Sequence, residues 1–174
     1  SGNNLVKKPF SHVNIDLSGI AKGYAVDLVY NYLLSKNISN FVINVGGEIK
    51  TYRRYEDAIA IAIDDPTNNQ QYIEEVLLNN NSIATSGTYI DTINFEGLEI
   101  SHITSTKTLQ TVSNLNILVS VMHKECALAT GLATGRIAMN PTTIINCSTS
   151  HSIAPRLTDL HNDKHENRYT TKLS

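Results

Sequence analysis

A chain of 174 residues, 41% hydrophobic and 17% charged, has the composition of one globular domain with a core of useful size. Its formal net charge of -2 leaves no electrostatic footprint for nucleic acid, and no basic amphipathic helix suits a membrane surface, so neither is expected as a partner. No apolar run approaches the roughly 18 residues that read as a membrane span, so no transmembrane segment is expected in this chain, and the N-terminal SGNNLVKKPF lacks the apolar stretch of a signal peptide.

Residues 1–13 carry no periodic pattern and read as a linker or N-terminal remnant, so the domain is expected to be incomplete at its N-terminus. Over residues 19–36, Ile20, Tyr24, Ala25, Leu28, Val29, Tyr32 and Leu33 recur at three and four, the spacing of one buried helix face, with Ser18 as cap and Asn37 as end. FVINV, residues 41–45, is short, continuous and apolar like a buried strand, and Gly46-Gly47 separate it from a second strand, EIKTY. AIAIAI, residues 58–63, alternates with period two and puts its alanines on one face, where a closely packed helix is expected.

DDPTNNQQ is loop by composition, and IEEVLL and SIATSG are strands separated by an asparagine turn. Residues 98–104 and 115–122 give two more strands, and residues 124–139 a helix carrying two unfavourable glycines, Gly131 and Gly135. TIINC, residues 143–147, is a candidate short strand. Residues 148–174 are polar, aperiodic and expected to be disordered, with His161 and His165 as solvated tail. A few helices among several antiparallel strands predict an α+β domain over residues 14–147. Cys126 and Cys147 form neither a disulfide framework nor a metal-ligand spacing, and Cys126 reads as a small buried residue.

The first helix carries Gly19, Lys22 and Gly23 where a plain core helix would carry alanine and leucine. A helix N-terminus presents unpaired N–H groups, glycine lets a ligand approach the backbone, and a lysine one turn in adds a full charge. That combination points to phosphate, but a glycine near a helix start is more often a packing residue. Four stretches in chain order narrow the reading: DLSGIAKGYAVD (16–27), NVGGEI (44–49), ATSG (84–87) followed by SHI (101–103), and ALAT (127–130). Together they resemble the ApbE-type FAD:protein FMN transferases, over residues 14 to about 140, the C-terminal half or somewhat more of a family member.

The resemblance implies a T-fold-like α+β domain, a mixed or antiparallel sheet with packed helices, and a flavin nucleotide site with FAD as donor. Family members use Mg²⁺ to split the FAD pyrophosphate and transfer FMN to a threonine hydroxyl of a target protein, a covalent flavinylation. By the same resemblance Lys22 and Gly23 hold the pyrophosphate, Gly46, Gly47 and Glu48 form a turn close to the nucleotide, and Thr85, Ser86 and Gly87 supply short donors. His102 takes the proton from the incoming threonine, a task an imidazole is suited to. The Ala21 carbonyl and the Thr130 hydroxyl fall at Mg²⁺ contacts. The family's usual setting implies a periplasmic or cell-envelope location.

The pattern departs from the family in two places. ITSTKTL (103–109) stands where members carry IDPxTG, and Cys126 stands where they carry an aspartate. A neutral thiol is a poor ligand for Mg²⁺, so the ion is expected to be weakened or lost, and Glu125, about 100° round the helix, is badly placed to replace the aspartate. Asp27 reads as a helix-facing carboxylate with no chemistry of its own, and Tyr24 and Tyr32 as core. An alternative to the enzyme is therefore a catalytically degenerate flavin-binding or protein-interaction module.

Overall fold

The computed structural model describes residues 5–55, 58–65, 71–89, 92–112, 117–139 and 154–159, and TIINC, His161 and His165 lie outside them. The elements follow in the order α1 (Ser18–Ser35), β1 (Phe41–Val45), β2 (Glu48–Tyr52), β3 (Ile59–Asp64), β4 (Tyr72–Leu78), β5 (Ser82–Gly87), β6 (Ile93–Phe95), β7 (Leu98–Ile100), β8 (Ile117–His123), α2 (Cys126–Ala138) and β9 (Ala154–Asp159). Strands β1, β2, β5, β8 and β9 form one sheet in that order, and every registered pair is antiparallel. The α+β expectation holds. None of the helices among the described residues is long and apolar enough to cross a membrane.

Strand β8 explains how the layers are held together. Alternate residues of a strand point to opposite faces, so Ile117, Val119 and Val121 pack with Ala129, Ala133 and Ile137 of α2, while Leu118 and Met122 meet the β3–β4 hairpin. A strand covered on both sides is a continuous apolar run, which is what ILVSV presents.

Three expectations are corrected. The alanines of β3 are exposed, and no helix among the described residues covers them: Ile61 and Ile63 instead turn their face to Val76, Leu78 and Ile83. The strand expected over residues 98–104 ends at Ile100, leaving His102 on a bend. Residues 154–159, placed outside the fold by their polarity, pair with β8 from Ile117↔Asp159 to Met122↔Ala154. Strand addition at a sheet edge is carried by main-chain N–H and C=O groups, so APRLTD needs no apolar alternation to join.

The orientation of α1 is a fourth correction. Its expected core face is exposed, with Ile20 at 41%, Tyr24 at 57%, Leu28 at 52% and Tyr32 at 61%, and the buried residues are Gly23 and Val26. Tyr24 and Tyr32 are therefore not core. Helix α1 carries apolar residues on more than one side, and periodicity alone does not choose between them. Val26 reaches Ile43 and Cys126 from the buried side, with Tyr30 and Leu33 beside them. Ser18 does not cap the helix with its hydroxyl. Its N–H donates to Asp16 Oδ1 at 2.8 Å. The C-terminus behaves as expected: Asn37 takes φ 56°, its N–H donates to Leu34 O, and Ile38 N donates to Leu33 O, which closes a Schellman motif.

Candidate functional site

The glycines of the two helices mark where α1 crosses α2. A Cβ at Gly23 would stand 2.3 Å from the Cys126 carbonyl oxygen and 2.4 Å from Thr130 Oγ1, and one at Gly131 would stand 2.9 Å from Ile20 Cγ2. Gly23 is thus a crossing residue facing α2 and does not line the cleft described next. The N-terminus of α2 is capped from across the crossing: Asp27 Oδ1 accepts the Cys126 N–H at 3.0 Å and Oδ2 accepts the Ala127 N–H at 2.9 Å. The same carboxylate pairs with Lys50 Nζ at 2.6 Å. Asp27 is a builder of the site's frame.

Beside the crossing lies a cleft of about 660 Å³. Helix α1 contributes Ser18, Gly19 and Lys22, helix α2 contributes Thr130 and Thr134, β2 contributes Glu48, and β5 contributes Thr85, Ser86 and Gly87. The segment after β7 contributes His102, Thr104 and Thr106. Segments 85–87 and 101–103, Lys22, Glu48 and Thr130 are thus brought to one place from five separate parts of the chain. Ala21 is on an exposed side of α1, outside the cleft lining. Gly46 and Gly47 form the β1–β2 turn at φ 60° and 97°, a backbone that only glycine adopts cheaply, and Gly46 lies against the Lys22 side chain.

Hydroxyl groups gather where Gly19 of α1 faces Thr134 of α2, which we call the hydroxyl end. Ser86 Oγ and Thr134 Oγ1 are 3.0 Å apart, and Thr85 Oγ1 bonds Ser120 Oγ at 2.8 Å. Period two along β5 puts Ser86, not Thr85, on the helix side. Thr134 was missed in the sequence, although its i+4 relation to Thr130 places both on one face of α2. Asp16, at the cleft rim, is held below the ordinary carboxylate range by the Ser18 backbone N–H and then by the Ser18 hydroxyl. His102 projects from between buried Ser101 and Ile103, and Ile103 is pinned by its N–H to Ser101 Oγ at 3.1 Å and by Val112 N at 2.9 Å. The loop that replaces IDPxTG docks on the end of α2 through Thr106 N to Ala138 O at 3.0 Å.

Lys22 Nζ sits 2.9 Å from Glu48 Oε1 and 3.4 Å from Gly46 O. Its charge therefore lies against a carboxylate.

Cys126 is fully buried, does not line the cleft, and its thiol is pushed up from 9.0 to about 11, first by burial and then by the Asp27 carboxylate. A raised folded pKa contributes stability that is complete below pH 9.0 and disappears as pH rises through about 11. Iodoacetamide near neutral pH is expected to leave Cys126 unmodified in the native chain and to label it fully in denaturant, as read by peptide mass spectrometry. Rapid native labelling would contradict this burial. Mg²⁺ requires hard oxygen donors in octahedral array. Position 126 offers a buried, protonated thiol instead of a hard oxygen, while Thr130 Oγ1, which donates to Cys126 O at 2.9 Å, keeps its lone pairs. Residue 126 does not fit as a ligand of Mg²⁺.

The model of the ApbE family matches residues 2–154. The chain belongs to the ApbE family. This ApbE chain is 37% identical over 139 residues to an FAD:protein FMN transferase of Vibrio cholerae, covering 78% of this chain and 42% of that protein. It is 33% identical over 130 residues to the FAD:protein FMN transferase of Buchnera aphidicola subsp. Schizaphis graminum, covering 74% of this chain and 38% of that protein. Among solved structures, the flavin transferase ApbE from Vibrio cholerae superposes with a TM-score of 0.67 at 30% identity, covering 90% of this chain and 50% of that one. The ApbE protein of Thermotoga maritima shares the fold with a TM-score of 0.74 at 23% identity, covering 84% of this chain and 49% of that one. The chain thus spans half or less of the length of these relatives.

Proposed function

We propose that this ApbE chain carries the flavin-nucleotide site of an FAD:protein FMN transferase and moves FMN from FAD to a threonine hydroxyl of a target protein. The observation that carries the reading is the convergence of His102 with the Ser86, Thr130 and Thr134 hydroxyls in one cleft, in a chain whose relatives bear that activity in their names. The threonine oxygen attacks the FMN phosphorus, a new P–O bond forms, the bond to the AMP oxygen breaks and AMP leaves. His102 accepts the threonine proton, and the Ser86–Thr134 hydroxyl pair, which uses one of its two protons internally, donates the other to a phosphoryl oxygen as charge develops on it. A periplasmic or cell-envelope location, the family's usual setting, is part of this proposal.

The test is FAD titration by flavin fluorescence, followed by AMP release from FAD in the presence of threonine-bearing envelope proteins of the host. FAD is expected to bind with an affinity that added Mg²⁺ leaves unchanged. His102→Ala is expected to bind FAD normally and to release AMP about 10²-fold more slowly, the size of a lost general base. FAD binding with no AMP release in any arm would favour the second reading, a flavin-binding module without transfer, which the protonated thiol at position 126 supports. No FAD binding would overturn both.

A further inference from the structure

The Lys22–Glu48 end of the cleft does not have the chemistry of a phosphate site. Glu48 is 2% exposed, its Oε1 is taken by Lys22, and its Oε2 is buried with no hydrogen-bond partner among the described residues. A buried carboxylate oxygen without a donor is costly, and natural structures leave one only where something else supplies the proton. An ionised carboxylate only accepts. A phosphate oxygen brought to Oε2 would meet a like charge and no hydrogen, whereas a hydroxyl or an N–H would satisfy it. Lys22 is 52% exposed, so its side chain lies between this carboxylate and solvent and would have to turn aside to admit a ligand group. Gly46 borders the carboxylate: a Cβ there would lie in ordinary contact, 3.9 Å from Glu48 Oε2 and 3.7 Å from Lys22 Cδ.

We propose that Glu48 Oε2 accepts a hydrogen bond from a neutral O–H or N–H of the sugar or ring part of the bound nucleotide, so that this end of the cleft reads the organic part and the hydroxyl end takes the phosphates. This rests on the flavin-nucleotide reading above and changes the role of Lys22. Lys22 orients the Glu48 carboxylate and is not a phosphate ligand.

The experiment compares the wild-type chain, Glu48→Gln and Lys22→Met by calorimetric titration with FAD, riboflavin, adenosine and inorganic pyrophosphate, with thermal melting as a check of folding. Riboflavin and adenosine separate the two sources of O–H and N–H donors, and pyrophosphate carries the phosphates alone. Glu48→Gln is expected to weaken FAD by about tenfold or more, the worth of a hydrogen bond to a charged group, to weaken whichever of riboflavin and adenosine the wild type binds, and to leave pyrophosphate unchanged. Lys22→Met is expected to weaken FAD and to keep pyrophosphate. FAD bound equally by wild type and Glu48→Gln overturns the inference alone, as does loss of pyrophosphate in Lys22→Met, which would return the phosphates to Lys22. FAD not bound by the wild type overturns the proposed function and this inference with it. If Glu48→Gln melts below the assay temperature, the Lys22→Met arm decides.

Discussion

Gly23→Ala is expected to destabilise the domain by about 3 kcal/mol, the upper end of overpacking costs, and by more if the helices separate. Helix propensity argues the other way, since alanine in a helix interior is worth about 1 kcal/mol over glycine. Distance decides between them. The added methyl would stand 2.3 Å from the Cys126 carbonyl oxygen and 2.6 Å from its carbon, backbone atoms that no rotamer change can move. Relief requires α1 and α2 to shift apart, which pulls Thr130 away from Lys22 across the cleft. Gly135→Ala is the control, because a Cβ there meets nothing within 4 Å among the described residues, and it is expected to stabilise by about 0.5–1 kcal/mol through propensity alone. Urea midpoints for the two variants should move in opposite directions. Equal or parallel shifts would mean that the helices do not cross at Gly23.

Asp27→Ala is expected to cost about 3–5 kcal/mol, the penalty for leaving one partner of a buried ion pair uncompensated. The pair is well shielded, with Lys50 8% and Asp27 15% exposed at the side chain. Among the described residues the variant leaves the Lys50 ammonium with only the Tyr30 ring, 4.2 Å from its centroid, and it removes the acceptors of two N–H groups at the start of α2. A cost of this size is a large fraction of the total stability of a small domain, about 5–15 kcal/mol. Asp27→Asn keeps an acceptor oxygen but not the charge, and should fall between. Combining Asp27→Ala with Lys50→Met removes the stranded cation and should recover part of the loss, a coupling readable from a double-mutant cycle in urea. Strictly additive losses would show that the two side chains do not act as a pair, and the long-range cap would then be the whole effect.

The sequence by itself determined the α+β class, the two helices, the strands from β1 to β5 and the stretches that meet at the cleft. Those readings rest on signals that are local in the chain: period two in AIAIAI, spacing of three and four in the helices, and Gly46-Gly47 as a turn that requires positive φ. The resemblance to the ApbE family, carried by four stretches in order and spacing, named Lys22, Glu48, Ser86, His102 and Thr130, which the structure brings to one cleft. Tertiary structure alone decided which side of α1 is buried, since Ile20, Tyr24 and Leu28 satisfy the helical period as well as Val26 and Tyr30 do, and only the crossing with α2 selects between them. It decided that Gly23 serves helix packing, that Asp27 caps a helix about a hundred residues away, and that Lys22 meets a carboxylate. Each of these depends on a distance between residues far apart in the chain, and no periodicity within a segment encodes it. The polar strand β9 belongs with them, because main-chain pairing at a sheet edge is indifferent to the side chains that announce a strand in sequence.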